Sequence, residues 1–148
     1  MGIEHVYVVY DPSRPINRFD LGFKKIASSI ELTHFEFFAP FTYSDPTFLL
    51  GIDEIEGNTT AIVHKLGTVE RPHNETLREK TFCVLGQLRN VHTPVHTDTF
   101  TPRHLSALTL TLRQYDSATG TFTPYPATNS AGANNPKVGL WFKIQTLD

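Results

Sequence analysis

The chain has 148 residues, of which eleven are phenylalanine and ten are proline. This length predicts one domain, which would bury roughly 68–70% of the surface of its unfolded form and needs no metal or disulfide to hold its core. Thirteen basic and fifteen acidic side chains give a formal charge of −2. The basic residues are scattered along the chain, which argues against nucleic acid as a partner.

The amino-terminal residues predict a first strand. Residues 5–10 are mostly β-branched or aromatic and end at a segment with two prolines, Pro12 and Pro15, which cannot donate to a β-ladder. The start is neither basic nor apolar over a long enough run for a signal peptide or a membrane span. We therefore expect a strand and a stiff turn, and no membrane span.

The next two predicted strands cover residues 17–23 and 26–38, with a solvated connection at Lys24 and Lys25. The apolar residues of the longer strand change parity between Leu32 and Phe35. A one-residue slip of this kind moves side chains to the opposite face unless an extra residue is inserted. The pattern therefore predicts a β-bulge near Thr33 and His34.

The middle of the chain predicts three further strands, at residues 47–55, 61–66 and 81–88. Two prolines mark residues 39–46 as a loop, and residues 67–79 are polar and predict a surface loop with one helical turn at 75–80. The single cysteine, Cys83, lies in an apolar run. It cannot form an internal disulfide, which favours intracellular synthesis, and we expect a buried and unreactive thiol.

The clearest strand pattern lies at residues 105–116. Leu108, Leu110 and Leu112 alternate with polar residues, as a strand with one solvated face requires. The segment 116–120 then carries short polar side chains and Gly120, which predicts a turn. The residues before it, 89–100, are rich in threonine and histidine and predict a loop.

The carboxyl-terminal part predicts a long loop and a last strand. Residues 125–137 contain three asparagines, two prolines and a glycine, and residues 138–147 alternate again, with Trp141 on the outer face. Eight short strands and no sustained helical period predict an all-β fold. We expect one domain, residues 1–148, built as an antiparallel β-sandwich of the jelly-roll type.

Three histidines form the only cluster with metal-ligand chemistry: His92, His96 and His104. Cupin-like enzymes hold a metal between histidines on strands. The four-residue spacing of His92 and His96 suits a helix, whereas Pro94 between them excludes one. The sequence contains no catalytic motif, glycine-rich phosphate loop or paired-cysteine motif. We therefore predict no enzyme activity and no cofactor, with a cupin-like metal enzyme as an alternative.

Outward aromatic side chains are the better candidate for a site. Trp141, Tyr115 and Tyr125 could stack against sugars, as in carbohydrate-binding modules, or pack against another protein. Aromatic residues are enriched in the cores of protein interfaces. The sequence thus favours these three residues as interface residues, and a carbohydrate-binding module is the second alternative.

Several apolar strand motifs follow one another in a characteristic order. They are Arg18-Phe-Asp-Leu-Gly-Phe23, Ile30-Glu-Leu32, Pro46-Thr-Phe-Leu-Leu-Gly-Ile-Asp-Glu-Ile55, Phe82-Cys-Val-Leu85, Phe100-Thr-Pro102, residues 105–116 with Gly120, and Leu140-Trp-Phe-Lys-Ile144. This succession resembles the small β-sandwich minor capsid proteins of large double-stranded DNA viruses and their virophage and transposon relatives.

The resemblance implies a nonenzymatic virion protein, made in the host cytoplasm, that cements capsomers or sits at a vertex. Its implied partners are the major capsid protein and other minor capsid proteins, and the question of self-association stays open. The short amino-terminal stretch and the long 125–137 loop depart from the family pattern. The resemblance carries no functional residue over to this chain.

Overall fold

The structure is a computed structural model that describes residues 1–39, 48–55, 61–64, 72–77, 83–85, 96–116, 120–129 and 131–147. Side chains are described in these ranges except at 61–64, 72–77, 83–85, 96–98 and 115–116. The described residues form nine strands: β1 Gly2–Tyr10, β2 Asn17–Phe37, β3 Phe48–Ile52, β4 Ala61–His64, β5 Pro72–Leu77, β6 Cys83–Leu85, β7 His96–Asp116, β8 Thr121–Pro124 and β9 Val138–Thr146. The predicted all-β class is confirmed.

The main sheet has the order β1-β9-β2-β7-β3-β6, all antiparallel, and β8 pairs with β7. A separate hairpin joins β4 and β5. The two long strands, β2 and β7, each contribute to two four-stranded halves. The first half consists of β1, β9, the later part of β2 and the early part of β7. The second half consists of the early part of β2, the later part of β7, β3 and β6. That connectivity is the strand order of a jelly roll.

The core lies between the two halves. Ile30 and Phe142 from the first half and Leu50 and Leu108 from the second are at most 1% exposed and belong to one apolar cluster. Every residue of β3 is buried, so this strand lies deep in the core. No helix in the described ranges is long and apolar enough to span a membrane.

The burial pattern of β2 changes phase where its register shifts. Ala27 is buried, then Ile30 and Leu32, then Phe35 and Phe37. Register shifts occur between Ala27 and Ser29 and between Leu32 and His34. Each shift returns apolar side chains to the core face, because an inserted residue offsets the change of parity. The second shift confirms the predicted bulge at Thr33 and His34.

The predicted solvated connection at Lys24 and Lys25 was wrong, because β2 continues through it. Register pairs run from Asp20 with Ala107 to Lys25 with Leu105, so four residues of β2 oppose one residue of β7. Gly22 takes φ +77° within this bulge, a conformation that glycine adopts without strain. The charged residues are therefore accommodated in an irregular segment of one strand and do not end it.

Three further boundaries differ from the prediction. Residues 72–77 form β5 in place of a loop and a helical turn, β7 begins at His96, and β8 follows the predicted turn as a short strand. In each case the segment lies beside a partner strand that can accept its backbone hydrogen bonds. Ladder pairing satisfies backbone groups whatever the side-chain polarity, so a polar segment can still form a strand.

The segment between β8 and β9 is organised by its asparagines. The Asn135 side chain is buried and donates to the Pro126 carbonyl oxygen at 2.8 Å. The Asn129 carboxamide oxygen accepts from the amides of Ala131 and Ala133 at 2.9 and 3.0 Å. Local hydrogen bonds thus give the predicted loop a defined conformation.

Candidate interaction surface

The outer face of β1, β9 and β2 carries a row of aromatic side chains. In β9, Val138, Leu140, Phe142 and Ile144 are buried as predicted, so the intervening residues point away from the core. The register places Tyr7 of β1 and His34 of β2 opposite Trp141 of β9, one on each side. Three rings therefore lie side by side across three neighbouring strands.

The rings are in direct contact. The centroids of Tyr7 and Trp141 are 4.3 Å apart with a 37° angle between ring planes, and those of His34 and Trp141 are 4.4 Å apart in an edge arrangement. The Thr33 hydroxyl in the bulge donates to the Trp141 carbonyl oxygen at 3.2 Å. The bulge thus turns His34 toward Trp141, and the cross-strand contacts hold the indole in one orientation.

A fourth ring, Phe38, extends the row past Gly139. A Cβ atom at Gly139 would lie 3.0 Å from the Tyr7 hydroxyl oxygen and 3.2 Å from a Phe38 ring carbon. The rings of Tyr7 and Phe38 therefore occupy the space that a side chain at this position would need. Tyr7 is 48% and Phe38 52% exposed. We call Tyr7, His34, Phe38 and Trp141 the aromatic platform.

Charged residues lie on both sides of the aromatic platform. Glu36 is opposite Gly139 in the register, next to the point where Tyr7 and Phe38 approach each other. Two residues beyond Trp141 in β9, Lys143 is flanked by His5 of β1 and Glu31 of β2. The acidic residue nearest the exposed rings is therefore Glu36, whereas the positive charge of Lys143 lies opposite another carboxylate.

The structure places the three predicted interface residues differently. Trp141 is half-buried on the outer face, as expected. Tyr125 is only 3% exposed, and its hydroxyl donates to the Pro136 carbonyl oxygen at 2.8 Å while its ring contacts Phe48. It is a core residue, so it cannot serve as an exposed contact. Tyr115 lies in β7, and its side chain is outside the described residues.

The roles of His34 and Phe38 in the platform are not apparent from the sequence. The sequence pattern places His34 in the bulge and Phe38 at the end of a predicted strand. The parity change in β2 was the available signal, because it turns His34 outward and leaves Phe38 beyond the last buried position. Pairing with Trp141 depends on the register of β9, which a single sequence does not contain.

The histidine cluster falls mainly on undescribed residues. His92 and the His96 side chain lie outside the described part of the chain, and so does the thiol of Cys83. His104 is exposed on β7. Among the described side chains, no group of three histidine, cysteine, aspartate or glutamate residues could hold a metal. The metal-enzyme alternative therefore stays untested at His92 and His96.

A cleft of about 460 Å³ lies where β2 begins and β8 ends, and its walls include Pro12, Pro15, Pro124 and Pro126. The β2 ladder stops at Leu110 and the β8 ladder at Arg113, which leaves Thr111 and Leu112 of β7 between them.

The chain itself satisfies the backbone groups in this gap. The Tyr125 amide donates to the Leu112 carbonyl oxygen at 2.9 Å, and the Leu112 backbone hydrogen-bonds to Tyr10. Burial raises the pKa of Tyr10, although that hydrogen bond opposes the rise. The cleft therefore has a mixed lining of prolines, aromatic side chains and polar side chains, and its backbone groups are engaged within the chain. The aromatic platform is the stronger candidate site.

Comparison with known proteins gives no relative: no protein-family model, curated protein or solved structure matches the chain.

Proposed function

We propose that this protein is a nonenzymatic structural component of a virion, a minor capsid or vertex-associated protein that cements capsomers through protein contacts. One observation carries the proposal: a jelly-roll unit holds four adjoining aromatic rings on the solvent face of a sheet whose other face is the core. Proposed partners are the major capsid protein and other minor capsid proteins, and the proposed location is the capsid.

The geometry of the aromatic platform suits a protein interface. Trp and Tyr are enriched among the residues that dominate binding energy, where truncation of a central anchor costs about 2 kcal/mol or more. Trp141 is held between Tyr7 and His34 before any partner arrives, so little side-chain entropy remains to be lost on docking. A preordered surface of this kind is suited to a permanent contact between subunits.

Co-expression with the major capsid protein encoded in the same genome tests the proposal. The wild-type chain should co-purify with it, and Trp141→Ala should weaken the complex at least ~30-fold, the equivalent of a 2 kcal/mol anchor. Ile16→Ala is the matched control, because Ile16 is 67% exposed on the β1–β2 turn and is not part of the platform. Equal loss in both variants, or no complex with the wild type, would overturn the proposal.

The carbohydrate-binding and metal-enzyme alternatives can be tested with the same purified protein. Saturable binding on a glycan array that disappears in Trp141→Ala would favour a carbohydrate-binding module. One metal per chain in the purified protein, lost on replacement of His92 and His96, would favour a cupin-like enzyme. Light scattering over a range of concentrations would show whether the chain also associates with itself.

A further inference from the structure

We infer that the aromatic platform receives a cationic side chain, an arginine, presented by the neighbouring capsid subunit. This inference rests on the proposed function and specifies the chemistry of its partner. It combines two properties of one surface, the exposed faces of the aromatic rings and the carboxylate beside them.

The rings provide the first part of the site. The face of an aromatic ring is the negative part of its quadrupole and attracts a cation, most strongly at tryptophan. Tyr7 and Trp141 are tilted by 37° and do not stack face to face, and Tyr7 is about half exposed. The exposed part of the Tyr7 ring is therefore the surface on which a planar cation can lie.

Glu36 provides the second part. It lies between the buried residues Phe35 and Phe37, so its side chain points to the outer face. It is opposite Gly139, which has no side chain to stand between the carboxylate and the rings of Tyr7 and Phe38. Among the described residues, no hydrogen bond or ion pair engages the Glu36 carboxylate.

Two lysines among the described residues near this face lie beside other carboxylates. Lys143 is opposite Glu31, and the Lys137 ammonium lies 3.8 Å from Asp11. The part of the platform around Glu36 thus combines an acidic group with negative ring faces. A basic partner group complements both features.

Arginine fits this combination better than lysine. Its planar guanidinium can stack on an aromatic face while its N–H groups donate to a carboxylate, and it is more weakly hydrated than an ammonium group. Lysine offers a point charge without the flat surface. We therefore expect a clear order of affinity, with arginine above lysine and a neutral isostere well below both.

The test uses the folded full chain and three peptides: acetyl-Gly-Arg-Gly-amide and its lysine and citrulline analogues. Trp141 is the only tryptophan, so its fluorescence reports binding at the platform alone. The arginine peptide should give a saturable change, and Glu36→Gln should weaken its binding about threefold to fivefold, the upper range for an exposed ion pair. Asp20→Asn removes an equally charged but distant exposed group of β2 and should leave binding within about twofold.

Equal binding of the citrulline peptide, no effect of Glu36→Gln, or no saturable change with arginine would each overturn the inference. Its failure is distinguishable from failure of the proposed function. If Trp141→Ala disrupts the capsid complex but the arginine peptide does not bind, the capsid role stands and the cation site is rejected. If the peptide binds but no capsid protein co-purifies, the cation site is supported and the capsid role is rejected.

Discussion

The rings of Phe37 and Phe48 lie 4.9 Å apart, although β7 separates their strands in the sheet order. Phe37 pairs with Val138 in the half that contains β1 and β9, and Phe48 pairs with Gln114 in the half that contains β3. The contact therefore crosses the core and joins the two halves. Tyr125 packs edge-on against both rings, so these three aromatic residues link the two halves across the core.

Truncation of Phe48 in this aromatic group should destabilise the fold. Phe48 is 2% exposed, and Phe48→Ala removes contacts with both halves and leaves a cavity, so we expect a loss of about 3–5 kcal/mol in the free energy of unfolding. Urea denaturation followed by circular dichroism measures it. Phe38→Ala, at a phenylalanine that is 52% exposed, should cost much less. Similar losses in both variants would contradict the assignment of Phe48 to the core.

Two adjacent asparagines should respond differently to alanine. Asn135 is 7% exposed and donates to the Pro126 carbonyl oxygen, so Asn135→Ala leaves that acceptor without its partner and should cost about 1–3 kcal/mol. Asn134 is exposed, and Asn134→Ala should stay within about 0.5 kcal/mol of wild type. Denaturant midpoints of the two variants give the comparison, and equal effects would show that the side-chain hydrogen bond does not hold the loop.

The pKa of Asp11 should fall below its ordinary value of 3.8 and depend on Ser13. The Ser13 hydroxyl donates to the Asp11 carboxylate at 2.6 Å, the Ser13 amide adds a second hydrogen bond, and Lys137 and Arg14 add favourable charge. Because the folded-state pKa is lowered, the contribution of Asp11 to stability is present above pH 3.8 and is lost as the pH falls through the folded value.

Titration of the Asp11 carboxyl by NMR tests this directly. Ser13→Ala removes the hydroxyl, which is the largest cause of the lowered pKa, and should move the Asp11 pKa upward toward 3.8. A pKa for Asp11 that stays unchanged in Ser13→Ala would refute the proposed cause.

Gly139→Ala should alter the aromatic platform while leaving the stability of the fold almost unchanged. The added Cβ must push away the rings of Tyr7 and Phe38, which are exposed and able to move. Alanine in a strand is otherwise favoured over glycine by roughly 0.5–1 kcal/mol, which offsets the crowding. We expect an unfolding free energy near that of wild type, an altered Trp141 emission spectrum and weaker binding to the proposed capsid partner. An unaltered spectrum with full binding would show that Gly139 does not shape the platform.

Side-chain alternation predicted the parts of the fold that depend on burial. The alternation of β9 and the parity change in β2 both mark the face turned to the core, and both predictions are confirmed. The merging of residues 17–38 into one strand was missed because charged residues in an irregular strand segment look like a loop. Polar strands such as β8 were missed because their pairing depends on a neighbour and not on their own composition.

The candidate site was predictable only in part. Trp141 could be identified because it is the one large aromatic residue at an outward position of β9. The sequence places Tyr125 at the start of a predicted loop and among the outward aromatic residues, yet its ring packs edge-on against Phe37 and Phe48 in the core. The contacts of Trp141 with Tyr7 and His34 join residues more than a hundred positions apart, and only the register of three strands brings them together.

Because β2 and β7 run through both halves, they also determine how the domain responds to a pulling force. In β2 and β7 the backbone passes from one half to the other, and their pairing extends from Asn17 with Leu110 to Leu32 with His96. A force that pulls the halves apart along these strands therefore acts on covalent chain as well as on side-chain packing. To shear the two strands past each other, many backbone hydrogen bonds must break together. A domain built in this way resists tension that is applied along its two long strands.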